Sequence, residues 1–70
     1  MAHAKIETTT YTIEMISYTK NNVYSVSVYN KHTDHMDNFY GCNPLDFVSL
    51  AFSIHYTGDK AVEYFLSKAQ

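Results

Sequence analysis

Six side chains capable of metal or proton chemistry sit near one another in the chain: His32, Asp34, His35 and Asp37, then Cys42, with His55 further on. Imidazole, thiolate and carboxylate all bind zinc, and gaps of two or three residues suit ligands carried on a loop. A zinc site built on His32, His35 and Cys42 is therefore one chemistry that the chain offers. The set is incomplete, because structural zinc usually takes four ligands, often paired cysteines, and here one thiol stands alone. Read plainly, the same stretch is a solvated turn with capping aspartates, and His55 belongs to helix packing. We expect no metal and no other cofactor.

Cys42 also precedes a helix start, where the positive end of the helix dipole lowers a thiol pKa. A thiol-dependent protein needs a base and an oxyanion site as well, and nothing in the sequence marks either. The expectation is a small, buried, unreactive Cys42 and no enzyme activity. With glycine only at Gly41 and Gly58, no phosphate-binding glycine loop can form. Neither Glu7 with Glu14 nor Asp34 with Asp37 makes a pair placed to share a proton.

All five basic residues are scattered lysines and the formal net charge is −2, so neither a cationic footprint nor arginine forks are present for nucleic acid. Seven carboxylates among 70 residues are too few for an acidic surface that imitates DNA. One cysteine precludes an intrachain disulfide and suits a reducing compartment. Residues 1–10 contain no apolar leader core, and the most apolar stretch, residues 45–54, is too short to span a bilayer. The expectation is a cytoplasmic protein, the cytoplasm of a host cell included, that contacts no membrane.

These side chains must be positioned by a domain with little core, since a chain of this length buries only about 60% of its unfolded surface. At 46% hydrophobic and 17% charged, the composition is that of a folded chain, expected as one domain over residues 1–70. The first half is rich in Thr, Tyr and β-branched residues in period-two alternation, which predicts strands over about 6–19 and 23–30, joined at Lys20-Asn21-Asn22. A third strand is expected over about 35–40. Within 6–19 the phase slips: Tyr11, Ile13 and Met15 share one side, Ile16 and Tyr18 the other. A bulge near Met15 and Ile16 would bring Tyr11, Ile13, Ile16 and Tyr18 to the side of Tyr24, Val26 and Val28. In a regular strand closed by a two-residue Asn21-Asn22 turn, Met15 instead pairs with Val28, while Ile16 and Tyr18 point away.

Asn43 as cap, Pro44 at the first position and Asp46 in the first turn predict a helix over about 44–56. Thr57-Gly58 ends it, and a second helix runs over about 59–68 with Ala61, Val62, Phe65, Leu66 and Ala69 on one face. The expected fold is thus α+β: a small antiparallel sheet, a long bulged hairpin plus a short third strand, followed by two helices packed on it.

The first helix has two apolar flanks, Leu45, Val48 and Phe52 on one and Phe47, Leu50 and Ile54 on the other, more than one sheet face covers. This leaves a flank for a partner, and a homodimer seam around Phe47 and Ile54 is expected. Seven tyrosines, with Ser and Asn around them, fit a protein-contact surface as well as a half-buried sheet; Tyr29, Tyr40 and Tyr64 are the expected contacts. No motif identifies a family. In composition and build, strands then helices without a catalytic constellation, the chain resembles the small inhibitors that phages encode against host defences, anti-CRISPR proteins among them. That resemblance implies a protein that binds a larger protein or complex and occludes it; a structural accessory subunit that mainly self-associates is the other reading.

Overall fold

The computed structural model describes residues 2–18 and 20–69. Four strands, β1 (Ala2–Glu7), β2 (Tyr11–Tyr18), β3 (Val23–Asn30) and β4 (Met36–Phe39), precede two helices, α1 (Pro44–Thr57) and α2 (Asp59–Ala69). The strands form one sheet in chain order, every neighbouring pair antiparallel. The fold is α+β, as the change from strand-forming to helix-forming residues near Asn43 requires.

The strand expected over residues 6–19 is two strands, and its last residue, Thr19, lies outside the described residues. What divides it is hydrogen bonding by threonine, whose hydroxyl competes with the ladder for backbone partners. The Tyr11 amide donates to Thr8 Oγ1 at 3.0 Å, and the Thr8 amide donates to Tyr11 O at 2.9 Å. The turn is then held from afar: Lys31 donates from its amide to Thr10 O (2.8 Å) and from Nζ to Thr8 O (2.7 Å). Asp59, in the first turn of α2, accepts from the Thr10 amide (3.1 Å) and hydroxyl (2.6 Å).

No bulge interrupts β2. Its ladder with β3 runs unbroken from Tyr11 opposite Asn30 to Tyr18 opposite Val23, with Met15 opposite Val26 rather than Val28. Four residues, not two, separate Tyr18 from Val23, and Asn22 takes a left-handed φ of 54° there. Regular pairing keeps Met15 in the core, 3% exposed, whereas a bulge would expel it. Ile16 is left on the opposite face, half-buried between His3 of β1 and Ser25 of β3, which reduces the cost of placing it there.

Beyond β3, Asn30 Oδ1 accepts from the amides of His32 (2.9 Å) and Thr33 (3.1 Å), and Asp34 adopts a φ of 61°, so the polar turn forms through its own side chains. After β4 the chain turns at Gly41, and the Cys42 amide donates to Tyr24 O at 2.9 Å. Asn43 Oδ1 accepts from the Leu45 amide at 2.8 Å, with Pro44 following it, so α1 starts where its capping residues predict. Gly58, at φ 57° and ψ −120°, ends α1 by donating to Ile54 O at 2.9 Å.

One sheet face packs against both helices. Tyr11, Ile13, Met15, Val26 and Val28 meet Leu50 and Ile54 of α1 and Ala61 and Val62 of α2, all at most 8% exposed. Phe39 meets Phe65 edge to face at 5.2 Å, and Tyr24 meets Phe47 at 5.1 Å. The other sheet face is solvated and bonds within itself: His3 to Glu14 (2.9 Å), Thr12 to Glu7 (2.9 Å) and Ser27 to Asn38 (2.7 Å).

The Asp59 contact makes the fold acid-sensitive. The Thr10 hydroxyl and amide donate to the carboxylate and, with the nearby Thr8 hydroxyl and Lys31, hold its pKa below the ordinary value of 3.8. A carboxyl whose folded pKa is depressed stabilises fully above its unfolded pKa and loses that contribution as pH falls through the folded one. Asp59→Asn is therefore expected to lower the thermal midpoint at neutral pH and to bring variant and wild type together as pH drops below that of a free aspartate. Calorimetry over the acid range checks this, and a constant difference between the two would be the wrong outcome.

Candidate functional site

The metal-type residues do not converge. His32 is exposed on the turn after β3, and His35 is exposed with Nε2 3.0 Å from Asp37 Oδ1. The Asp34 carboxylate accepts a hydrogen bond from the Tyr29 hydroxyl, which raises the Tyr29 pKa. Cys42 lies past the opposite end of β4 from His32 to His35, half-buried, its Sγ donating to Phe39 O at 3.7 Å. Burial, and then the nearby Asp46 carboxylate, push its thiol pKa up, the direction of an unreactive thiol. Among the described residues no three His, Cys, Asp or Glu side chains are grouped to hold a metal ion. His55 is on the exposed side of α1 rather than in the packing, its ring 5.1 Å from that of Tyr56.

The expected contact residues separate into three groups. Tyr40 and Tyr64 are 79% and 66% exposed, while Tyr29 is half-buried on the solvated sheet face with its hydroxyl engaged by Asp34. Phe47 is half-buried against Tyr24. Ile54, placed by sequence at a seam, is a core residue at 6% exposure. The two apolar flanks of α1 looked alike, and the core took the one bearing Leu50 and Ile54. The signal that bears on this choice is the single residue Gly58 between the helices. So short a link keeps Ala61 and Val62 beside the last turn of α1, where Ile54 lies, with the Ala61 amide donating to Gly58 O at 3.1 Å.

The other flank is uncovered. Leu45 (79%), Val48 (49%), Phe52 (65%) and Tyr56 (79%) form an exposed strip along the outer side of α1 with no charged member. Spacings of three, four and four residues keep them on one side of a helix of 3.6 residues per turn. Tyr56 was not singled out as part of this flank. The expected helix already included it, and its place four residues beyond Phe52 puts it on the same side.

On the other side of α1, toward α2, is a cleft of about 280 Å³. Phe39, Leu50 and Phe65 provide its apolar walls, Tyr40 and Tyr64 line it as exposed aromatics, and Asp46 and Lys68 are paired across it at 3.5 Å. Lys68 Nζ also lies 5.3 Å from the Tyr64 ring centre. The cleft has the size of a receptor for one or two side chains rather than a cofactor. Its carboxylate and ammonium are paired with each other, and the Cys42 thiol also lines it.

No helix among the described residues is long and apolar enough to cross a membrane. Compared with models of known protein families, with curated proteins and with solved structures, the chain matches none.

Proposed function

We propose that this chain is a non-enzymatic protein-binding module whose contacts are the outer side of α1 and the adjoining cleft. The observation that carries this reading is the exposed strip of Leu45, Val48, Phe52 and Tyr56: four large apolar side chains left in water on a domain whose total stability is about 4 to 10 kcal/mol. Tyr40 and Tyr64 beside the cleft supply rigid amphipathic groups of the kind interfaces favour. The inhibitory form, in which the module occludes a larger protein, is the version its build suggests. A metal-dependent reading has no support from the dispersed His32, His35 and Cys42.

Site-specific photocrosslinking tests this. A photoreactive phenylalanine at position 52 is expected to give polypeptide adducts, with its own chain or a foreign one, well above those from the exposed position Lys60. Equal yields at the two positions would overturn the reading.

A further inference from the structure

We infer that the occupant of the outer side of α1 is a second copy of this chain, the two helices lying antiparallel about a twofold axis that passes beside Ser49, between Val48 and Phe52. This deepens the protein-binding reading and rests on it.

The spacing of the strip is self-complementary in that orientation. Residue numbers from the two ends sum to nearly the same value, so Leu45 meets Tyr56 of the partner subunit while Val48 meets Phe52 of the partner subunit. Each contact then occurs twice, as an isologous interface requires. Every pair sets an aliphatic group against an aromatic one. Leu45, Val48, Ser49 and Phe52 stand at i, i+3, i+4 and i+7, the outline of a hole, and Ser49, whose side chain is small and exposed, leaves room in it for the partner's Phe52 ring. A shallow hollow that runs along the helix from Phe47 and Val48 to His55 and Tyr56 receives the partner's Leu45 at its far end.

A parallel pairing is worse on each count. It stacks Phe52 on Phe52 of the partner subunit and Tyr56 on Tyr56 of the partner subunit, leaves nothing opposite the space over Ser49, and sets the helix dipoles side by side in the same sense.

Charge favours a second copy over a foreign partner. The strip offers no ionised group to select an opposite charge, and self-contact meets no like-charge barrier there, since the nearest carboxylate, Asp46, is already 3.5 Å from Lys68 of its own chain. A net charge of −2 spread over the surface repels a second copy weakly at ordinary ionic strength. The strip exposes on the order of 600 Å² per copy, so two strips together reach the lower bound of stable interfaces, which fits a symmetric dimer in the micromolar range.

Sedimentation equilibrium across the micromolar range is expected to show a monomer–dimer equilibrium, with Phe52→Ser weakening it at least about tenfold. Phe52 and Leu45 are both exposed outside the core, and Leu45→Lys, at a position as exposed as any in the strip, serves as a second variant if Phe52→Ser does not fold. Orientation is read separately in a Cys42→Ser background: mixed Leu45→Cys and Tyr56→Cys chains are expected to form the 45-to-56 disulfide in preference to 45-to-45 and 56-to-56. A wild type that is monomeric at every concentration overturns the dimer. So does a dimer unchanged by both strip variants, or a preference for 45-to-45 linkage. If the chain is monomeric yet position 52 crosslinks to a foreign polypeptide, the second copy is wrong and the protein-binding reading stands.

Discussion

Ile13→Ala is expected to lower the thermal midpoint by roughly 15 °C, the largest effect of any single truncation in this chain. Ile13 is fully buried in β2, opposite Ile6 of β1 and Val28 of β3, in the core shared with both helices. Cutting a buried isoleucine to alanine costs about 2 to 5 kcal/mol, because the cavity relaxes only partly. Set against a total of about 4 to 10 kcal/mol, this removes a large part of the folding free energy. Ile16 makes the informative comparison. It is the same residue type three positions along the same strand, but half-buried on the solvated face, so Ile16→Ala is expected to have a much smaller effect. Thermal unfolding of the two variants tests the register directly. Equal losses would mean that β2 carries a bulge which brings Ile16 inward.

The second large effect is at Gly58, where one methyl group is expected to act in opposite directions according to its handedness. A side chain in the L configuration would meet no atom within 4 Å there, so no clash opposes it. The backbone, at φ 57° and ψ −120°, is nevertheless a conformation L residues avoid. Gly58→Ala is therefore expected to destabilise by about 1 to 3 kcal/mol through torsional strain alone. D-alanine, for which the mirror-image angles are ordinary extended backbone, should bring stability back at least to that of glycine by narrowing the unfolded ensemble. A chain of 70 residues is within reach of chemical synthesis, and denaturant unfolding of the two forms decides the matter. Equal destabilisation by both would show that the site lacks room rather than torsional freedom.

These two sites also mark what can be read from sequence and what cannot. The helix boundaries were legible because their determinants are adjacent in the chain: the Asn43 side chain bonds to the Leu45 amide, Pro44 takes the first position, and Gly58 alone tolerates the terminating conformation. The division of the first expected strand was not. Thr8, Thr9 and Thr10 favour strand locally, and the Thr8–Tyr11 bonds that turn the chain there are supported by Lys31 and Asp59, 23 and 49 residues away. The bulge arose from counting apolar residues on two faces without allowing that neighbouring strands can cover one on the outer side. Ile16 is covered in this way by His3, whose strand was itself unexpected.

For the candidate site, the surplus of apolar surface on α1 was legible, since its two flanks exceed what one sheet face can bury. Which flank would remain outside was not, because Leu50 and Ile54 differ from Val48 and Phe52 in neither polarity nor spacing, and the short link to α2 decided between them. Tyr40 and Tyr64 are exposed as their positions suggested, whereas Tyr29 is tied to Asp34 by a turn whose geometry depends on the Asn30 side chain.

Chain-order pairing in the sheet bears on how the protein is made. Each strand finds its neighbour as soon as the next hairpin leaves the ribosome, so the sheet can assemble from local contacts early. Its lipophilic side then waits for the helices, which follow the strands out. At typical translation speeds of about 5 to 20 residues per second, the interval between Phe39 and Ala69 lasts roughly 2 to 6 seconds. During that delay each nascent polypeptide presents Ile13, Met15, Val26 and Val28 to the cell, which makes crowded polysomes, rather than the finished molecule, the stage most exposed to aggregation.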